Sequence, residues 1–324
     1  MGNRFLGHGD ALLPLANLCA LNSDIRAPLQ AKLLPQRTIT VDSDRRRDLA
    51  RGRQQRYPMQ MLKYFERDGL KLAYLDRGPH HGHATPVLLI HGFASSIEVN
   101  WMHPGWFKTL GEAGYRVIAI ENRGHGASDK PQKPEAYATI EMAEDARALL
   151  DHLGIASAFV QGYSMGARIS SFLALHHPSR VAGLALGGLG IHLVDGVGLP
   201  LGIAEALERH DPENITDPMQ KMFRTFAEKN KQDLIALAAC IRGSRQVLTA
   251  EEAGRIIAPT LVSVGTNDPV AGAPEPLVAL MPNARAFPIP GRDHNLAVGD
   301  RLHRAEVLAF FNHLLVQKGV VLPM

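Results

Sequence analysis

The chain has 324 residues, of which 45% are hydrophobic and 21% are charged. This composition excludes a wholly disordered chain and a small disulfide-stapled protein, and the length allows a core that needs no metal for stability. The two cysteines, Cys19 and Cys240, show no metal-site spacing and indicate a reducing compartment, the cytoplasm, rather than secretion. No stretch reaches the roughly 18 uncharged apolar residues of a membrane helix, so we expect no transmembrane segment.

The net charge of +3 is distributed unevenly along the chain. Residues 1–58 carry ten basic and five acidic side chains, whereas the remainder carries 25 and 27. The remainder therefore gives no reason to expect nucleic-acid binding. For residues 1–58 three interpretations stay open: a targeting peptide, an arginine-rich arm for nucleic acid or membrane, and a segment upstream of a true start at Met59 or Met61. In each case we expect a poorly ordered N-terminal extension.

Strand-like segments begin at residue 63. Lys63–Glu66 and Leu70–Leu75 flank Asp68-Gly69 and predict a hairpin. Continuous apolar runs are typical of strands buried on both faces. Such runs occur at Pro86–Ile90, Tyr115–Ile120, Ala158–Gln161, Val181–Leu186 and Thr260–Val264, with a shorter one at Arg285–Ile289.

Helical apolar spacing occurs between these strands, at Thr139–Leu153, Met165–His176 and Leu302–Val316. The alternation predicts an α/β fold, a mostly parallel sheet flanked by helices, over about residues 61–318. Residues 189–256 interrupt the alternation and contain helical patterns at Met219–Lys229, Gln232–Arg242 and Ala250–Ile257. We interpret this insertion as a short helical cap.

The segment Gly162-Tyr163-Ser164-Met165-Gly166 follows a predicted strand and opens a predicted helix. In that context it predicts a nucleophile elbow, a tight turn that projects the hydroxyl of Ser164 from the edge of the sheet. A serine hydroxyl is a weak nucleophile at neutral pH and needs a base, which in turn needs an orienting carboxylate.

Candidates for the base and the carboxylate follow later in the chain, each after a predicted strand. Asp268 comes directly after Thr260–Val264, and His294 comes after the last short strand. Loops at the carboxyl ends of strands are where open α/β sheets place their sites. We therefore predict a catalytic triad of Ser164, His294 and Asp268, with Asp293 as a rival carboxylate.

A third element is His91-Gly92-Phe93, directly after the strand Pro86–Ile90. The tetrahedral intermediate of acyl transfer carries an oxyanion that backbone N–H groups must stabilise. Met165, the residue after the nucleophile, and Phe93 are the predicted donors of this oxyanion hole. The alternative for Phe93 is a packing residue beside a plain strand-end turn.

Taken together, these motifs resemble those of the α/β-hydrolase fold superfamily, over about residues 61–318. Glu121-Asn-Arg-Gly-His-Gly-Ala-Ser128 also resembles a loop of that family, although the family usually has Asp where Glu121 stands. We interpret this loop as structural. The resemblance implies a serine hydrolase that needs no cofactor, because a dehalogenase or an epoxide hydrolase would carry Asp at the elbow.

The substrate-binding residues are less sharply indicated. Met219, Met222 and Phe223 in the predicted cap could form an apolar wall for a medium-sized acyl group. Arg168, one helical turn beyond Ser164, could pair with an acidic neighbour or approach a substrate carboxylate. The run Gly-Tyr-Ser-Met-Gly-Ala-Arg also looks like that of the menaquinone-pathway synthases of the same superfamily.

The sequence therefore predicts a carboxylesterase-like hydrolase acting on a small-molecule ester. Two alternatives use the same pocket: C–C bond hydrolysis or lyase chemistry with the same triad, and a ligand-binding receptor with slow turnover. A protein tethered to nucleic acid or membrane by its arginine-rich segment is a further alternative. No metal is expected, and His80, His81 and His83 are interpreted as a surface loop.

Overall fold

The computed structural model describes residues 62–79, 86–196 and 198–319. In these ranges the strands are β1 (Lys63–Arg67), β2 (Leu70–Arg77), β3 (Pro86–Ile90), β4 (Arg116–Ile120), β5 (Ala158–Tyr163), β6 (Val181–Gly187), β7 (Thr260–Gly265) and β8 (Ala284–Ile289). The predicted N-terminal extension, residues 1–58, and the loop with His80, His81 and His83 lie outside the described residues.

The α-helices of the described ranges are α1 (Trp106–Glu112), α2 (Thr139–His152), α3 (Met165–His176), α4 (Gly202–Glu208), α5 (Pro218–Lys229), α6 (Leu234–Gly243), α7 (Ala250–Gly254), α8 (Pro274–Leu280), α9 (His294–Ala297) and α10 (Arg301–Gln317). Shorter helical turns lie at Glu98–Met102, Pro134–Tyr137, Pro178–Arg180, Ile191–Leu193 and Pro212–Asn214.

The eight strands form one sheet in the order β1-β2-β4-β3-β5-β6-β7-β8. The pairs β1–β2 and β2–β4 are antiparallel, and every other neighbouring pair is parallel. The prediction of a mostly parallel sheet flanked by helices is therefore confirmed. The loops after β3, β5, β7 and β8 leave the sheet at the same edge, because these strands run in the same direction.

The central strands β3 to β7 are buried on both faces of the sheet, which explains their continuous apolar sequences. On β3, Leu88 and Ile90 belong to one core cluster while Val87 and Leu89 belong to the other. Helices α2 and α3 pack on the first face, and α1 and α10 on the second. Alternate side chains of a strand point to opposite faces of the sheet. Apolar strands such as these therefore need helices packed on both faces.

Polar groups also lie within the second core cluster. The imidazole of His303 on α10 is fully buried, and its ring centroid lies 5.3 Å from that of Trp106. His303 Nδ1 donates to the carbonyl oxygen of Ala297 at 3.0 Å. Burial lowers the pKa of His303 to about 4, so this side chain is neutral at pH 7.

Four α-helices, α4 to α7, lie between β6 and β7, where the sequence predicts a cap. The side chains of Asp217 and Asp233 accept backbone N–H groups at the starts of α5 and α6, and Thr249 forms a capping box with Glu252 at the start of α7. We propose that residues 189–256 act as a cap over the site described below. Helix α4 was not predicted, because its seven residues are too short a window for a helical period to be recognised, although four of them are apolar and buried.

Within the described ranges, no helix combines the length and apolar character needed to span a membrane.

Candidate active site

Ser164 occupies a strained turn between β5 and α3. Its backbone has φ 55° and ψ −114°, in the left-handed range that residues with side chains rarely adopt. Gly162 and Gly166 flank the turn, and each lies so close to backbone atoms that a side chain would not fit. A Cβ atom added to Gly166 would lie 1.9 Å from the carbonyl oxygen of Ile90, and one added to Gly162 would lie 2.2 Å from that of Gly166. The elbow predicted from the sequence is thus packed against β3 without room for a methyl group.

We expect Gly166→Ala to destabilise the protein by about 3 kcal/mol or more, at the upper end of overpacking changes, because the methyl group meets backbone atoms rather than a flexible side chain. Urea unfolding measures the change in the free energy of unfolding. Gly111→Ala is the matched control, since an added Cβ there meets nothing within 4 Å and alanine favours its helix. Equal stability of the two variants would contradict the expectation.

The three side chains of the predicted triad meet at the carboxyl edge of the sheet. The Oγ of Ser164 lies 2.9 Å from Nε2 of His294, and Nδ1 of His294 lies 2.8 Å from Oδ2 of Asp268. The carboxylate of Asp268 is fully buried, and the side chain of His294 is 14% exposed. This arrangement allows a proton to pass from the hydroxyl to a base held by a buried carboxylate.

Asp268 is fixed by the backbone of its own loop. Its Oδ1 accepts the N–H groups of Val270 at 2.8 Å and Ala271 at 3.1 Å, which leaves Oδ2 directed at His294. Asp293, the rival carboxylate, instead caps α9 by accepting the N–H groups of Asn295 and Leu296. Asp268 therefore contacts the imidazole of His294, whereas Asp293 caps a helix.

Tyr163 holds the backbone of His294 in place, a role that was not predicted. Its hydroxyl donates to the carbonyl oxygen of His294 at 2.6 Å, and the side chain is buried. Burial, with the nearby charges of Asp268 and Asp293, raises the pKa of Tyr163 well above its usual value, so the hydroxyl remains a donor. The backbone of His294 is thereby held in place beside the elbow.

The loop after β3 lies against the elbow, where the oxyanion hole was predicted. A Cβ atom added to Gly92 would lie 3.2 Å from the carbonyl oxygen of Tyr163, a tight contact, and 3.4 Å from Cβ of Ser164. The N–H of Gly92 donates to Oδ1 of Asn100 at 2.7 Å. Phe93 lines both cavities beside Ser164, and Met165 is the first residue of α3, where N–H groups have no acceptor within the helix.

His125 holds the same loop through a second contact that was not predicted. Its Nε2 accepts the N–H of Ala94 at 3.1 Å, and its Nδ1 donates to the carbonyl oxygen of Arg123 at 2.9 Å. Ala94 has φ 56°, a strained conformation that this hydrogen bond helps to fix. Burial, and then the nearby His91, lower the pKa of His125 to about 3. The only signal for this role in the sequence was the resemblance of Glu121–Ser128, the loop that contains His125, to a loop of the family.

The two buried imidazoles make stability depend on pH. Folded-state pKa values of about 3 for His125 and about 4 for His303 lie below the unfolded value of about 6.5. Between these values the unfolded chain binds more protons, so we expect the free energy of unfolding to fall as the pH is lowered from about 6.5 towards 4. Thermal unfolding at several pH values measures this loss.

The matched variants are His303→Gln, which removes a buried imidazole, and His313→Gln, which removes a histidine at the surface. The first should flatten the pH dependence of the melting temperature, and the second should leave it unchanged. A melting temperature independent of pH over this range would contradict the expectation.

The loop Glu121–Ser128, interpreted above as structural, is tied to several elements. Arg123 donates two hydrogen bonds, both 2.7 Å long, to the buried carboxylate of Asp145 on α2. Glu121 accepts the N–H of Ile97 at 3.1 Å, and Ser128 donates to the carbonyl oxygen of Glu121 at 2.7 Å. These contacts fix the base of the loop that carries His125.

The predicted cap residues lie in different places. Met222 and Phe223 line a cleft of about 460 Å³ that also reaches Ser164 and His294. Phe223 is buried and its ring centroid lies 5.8 Å from that of Phe93, whereas Met222 is 40% exposed at the surface. Met219 packs against the hydrophobic core.

Arg168 requires a correction. Of the two roles predicted for it, the ion pair with an acidic neighbour is replaced by four hydrogen bonds to backbone carbonyl oxygens. The other, a contact with a substrate carboxylate, is not tested by the structure. Nη1 of Arg168 donates to Leu193 and Gln246, and its Nη2 donates to His192 and Gly196. Burial, and then the charge of Arg245, lower the pKa of Arg168 to about 10. Carbonyl oxygens within the proposed cap, residues 189–256, thus satisfy a guanidinium for which helical spacing suggested a carboxylate partner.

Among the residues that the structure describes, no group of three or more His, Cys, Asp or Glu side chains could hold a metal ion.

Comparison with known proteins adds a family match. Residues 85–195 match the family described as alpha/beta hydrolase fold. Epoxide hydrolase B of Mycobacterium tuberculosis is 41% identical over 98 residues, which make up 30% of this chain and 27% of that protein. In this and other curated relatives, which are also epoxide hydrolases, the matched segment spans less than half of the relative's length.

Two solved structures are similar over most of the chain. A hydrolase from Pseudomonas aeruginosa has a TM-score of 0.63 at 24% identity and covers 78% of this chain and 99% of its own. The enol-lactonase from Burkholderia xenovorans has a TM-score of 0.59 at 22% identity and covers 78% and 100%. At these identities the similarity establishes the shared fold.

Proposed function

Because the chain belongs to the α/β-hydrolase fold superfamily, we propose that it is a serine hydrolase that cleaves small carboxylic esters with Ser164, His294 and Asp268. The observation that carries the proposal is the continuous pair of hydrogen bonds from the serine hydroxyl through the imidazole to the buried carboxylate, 2.9 Å and 2.8 Å long. Such a chain lets a neutral hydroxyl attack a carbonyl carbon.

In the first half of the reaction, Oγ of Ser164 bonds to the ester carbonyl carbon while its proton moves to Nε2 of His294. The carbonyl oxygen becomes an oxyanion, which accepts the N–H groups of Phe93 and Met165. Asp268 stabilises the imidazolium through Nδ1. Breakdown of the intermediate breaks the bond to the alcohol oxygen, which takes the proton from Nε2 and departs.

In the second half, water replaces the alcohol. His294 takes a proton from the water as its oxygen bonds to the carbonyl carbon of the acyl-serine. The new intermediate breaks the bond to Oγ of Ser164, which recovers its proton from Nε2. The products are one carboxylic acid and one alcohol, and the side chains return to their starting state.

The name of one relative raises epoxide opening as another activity. The resemblance described above assigns Asp to the elbow of that branch, whereas this chain has Ser164 there. A serine that forms an acyl-enzyme needs a carbonyl carbon in its substrate, which an epoxide lacks. This difference favours acyl transfer over epoxide opening.

Reaction with diethyl p-nitrophenyl phosphate tests the proposal, since this reagent transfers a phosphoryl group to an activated serine. We expect one equivalent of p-nitrophenolate, a label on the peptide that contains Ser164, and loss of p-nitrophenyl ester hydrolysis in the same proportion. Ester hydrolysis that persists in the fully labelled protein, or no hydrolysis before labelling, would contradict it.

A further inference from the structure

Ser164 lies at the junction of two cavities of very different size. One has a volume of about 80 Å³ and the other, the cleft described above, about 460 Å³. Ser164 and Phe93 line both cavities. A substrate carbonyl placed at Ser164 therefore has one small and one large space available for its two substituents.

The position of His294 determines which substituent enters which space. In the reaction proposed above, the leaving alcohol must receive its proton from Nε2, so the alcohol oxygen has to lie beside the imidazole. His294 lines the large cleft and does not line the small cavity. The alcohol part of the ester therefore occupies the cleft. Since the oxyanion faces the N–H groups, the acyl chain is left with the small cavity.

The small cavity presents aliphatic groups to an acyl chain. Leu189, Leu199, Ile241 and Val270 line it. The polar side chains of its lining are already engaged with backbone carbonyls. Arg168 donates to four of them, Nδ1 of His192 donates to Val270 at 2.7 Å, and Ser244 donates to Cys240 at 2.6 Å. A neutral aliphatic chain suits this lining better than a charged one.

The volume sets the length of that chain. A cavity of about 150 Å³ in a protein core is large enough to hold benzene. The small cavity has about half of that volume, about 80 Å³, which suits roughly two to four carbons. Leu189 and Ile241 in its lining are buried, whereas Gly198 in the same lining is exposed.

The cleft has the opposite character. It is lined by the rings of Phe223 and Phe226 and, at its mouth, by Met222 and Leu296, which are 40% and 58% exposed. These groups offer a broad apolar surface that continues to solvent. The cap residues that the sequence assigned to an acyl group thus face the space available to the alcohol.

Resting on the ester hydrolysis proposed above, we propose that the substrates are esters of a short, uncharged acyl group of about two to four carbons with a large apolar alcohol. The small cavity beside Ser164 selects the acyl group, and the cleft beneath the cap accepts the alcohol. Hydrolysis then yields a short carboxylic acid and the large alcohol.

A two-way panel of substrates tests this assignment. The acyl series is p-nitrophenyl acetate, butanoate, hexanoate and octanoate; the alcohol series is methyl, benzyl and 2-naphthyl acetate. For the wild-type protein we expect kcat/KM to fall at least about tenfold from butanoate to octanoate and to rise from methyl to 2-naphthyl acetate.

Two variants separate the cavities. Ile241→Ala enlarges the small cavity and should move the acyl optimum to hexanoate or octanoate. If this variant does not fold, Val270→Ala makes the same test from a partly exposed position. Phe226→Ala is the matched change in the cleft, and it should reduce the preference for 2-naphthyl acetate without altering the acyl order.

The outcomes are distinguishable. Octanoate hydrolysed as fast as butanoate by the wild type, or an acyl optimum moved by Phe226→Ala and not by the small-cavity variants, would overturn the assignment while leaving ester hydrolysis in place. Absence of hydrolysis above the Ser164→Ala background across the whole panel would refute the ester-hydrolase proposal itself, and this inference with it.

Discussion

Replacing Ser164 by alanine is expected to lower kcat for ester hydrolysis by about 10⁶-fold, the loss typical of removing a triad nucleophile. Without Oγ no acyl-enzyme forms, and only the oxyanion donors and substrate binding contribute to the residual rate. The fold should persist, because alanine meets the same backbone strain at φ 55° as serine does. Steady-state hydrolysis of p-nitrophenyl butanoate measures the rate, and thermal unfolding checks the fold.

Ser171→Ala is the matched control for this variant. Ser171 is a buried serine on the same helix, and its hydroxyl donates to the carbonyl oxygen of Ala167 at 2.9 Å. Its removal should cost about 1 kcal/mol of stability and leave the rate of hydrolysis nearly unchanged. Comparable losses of activity in the two variants would show that Ser164 is not the nucleophile.

Asp268→Asn is expected to lower kcat by about 10³- to 10⁴-fold. The amide oxygen of asparagine can keep the position of Oδ1, which accepts the N–H groups of Val270 and Ala271. The amide NH₂ then faces Nδ1 of His294 as a donor. The imidazole must respond by carrying its proton on Nε2, where it cannot accept the proton of Ser164.

Asp293→Asn separates this effect from a general loss of negative charge near the histidine. Asp293 caps α9, and asparagine is as good a helix cap as aspartate. We expect its rate of hydrolysis to stay within a few-fold of the wild type. If Asp268→Asn retains full activity, or if Asp293→Asn shows the larger loss, the carboxylate has been assigned wrongly.

Much of the fold could be predicted because its strands are buried on both faces. A continuous apolar run such as Pro86–Ile90 has few alternatives to a central strand. Helices with a long apolar period were also predicted, Met165–His176 with its observed ends and Thr139–His152 and Arg301–Gln317 to within one residue. Helix α1 was missed, because it has only Trp106 and Leu110 as buried positions and includes Gly111. A helix of seven residues is too short for a helical period to be recognised in its sequence.

The contacts that orient the candidate site could not be predicted in the same way. Tyr163 and His125 act through backbone groups of His294 and Ala94, residues that are distant in sequence. Almost every residue has a backbone carbonyl and N–H group. A side chain that bonds to the backbone therefore has a partner that cannot be recognised from its residue type. The same reason explains Arg168, whose carbonyl partners have no charge that spacing could reveal.

By itself, the sequence determined the alternation of strands and helices, the elbow at Ser164 and the order of the three triad candidates. These features are local, because each depends on a strand, a turn and one residue type within a few positions. The tertiary structure decided which space each half of a substrate can enter. The cavities are formed by the elbow, the start of α3, residues of the proposed cap and the loops after β3, β6, β7 and β8, so their volumes depend on how distant segments pack. That packing also places Met222 and Phe223 in the lining of the cleft and leaves Met219 out of it, although all three lie on one helix.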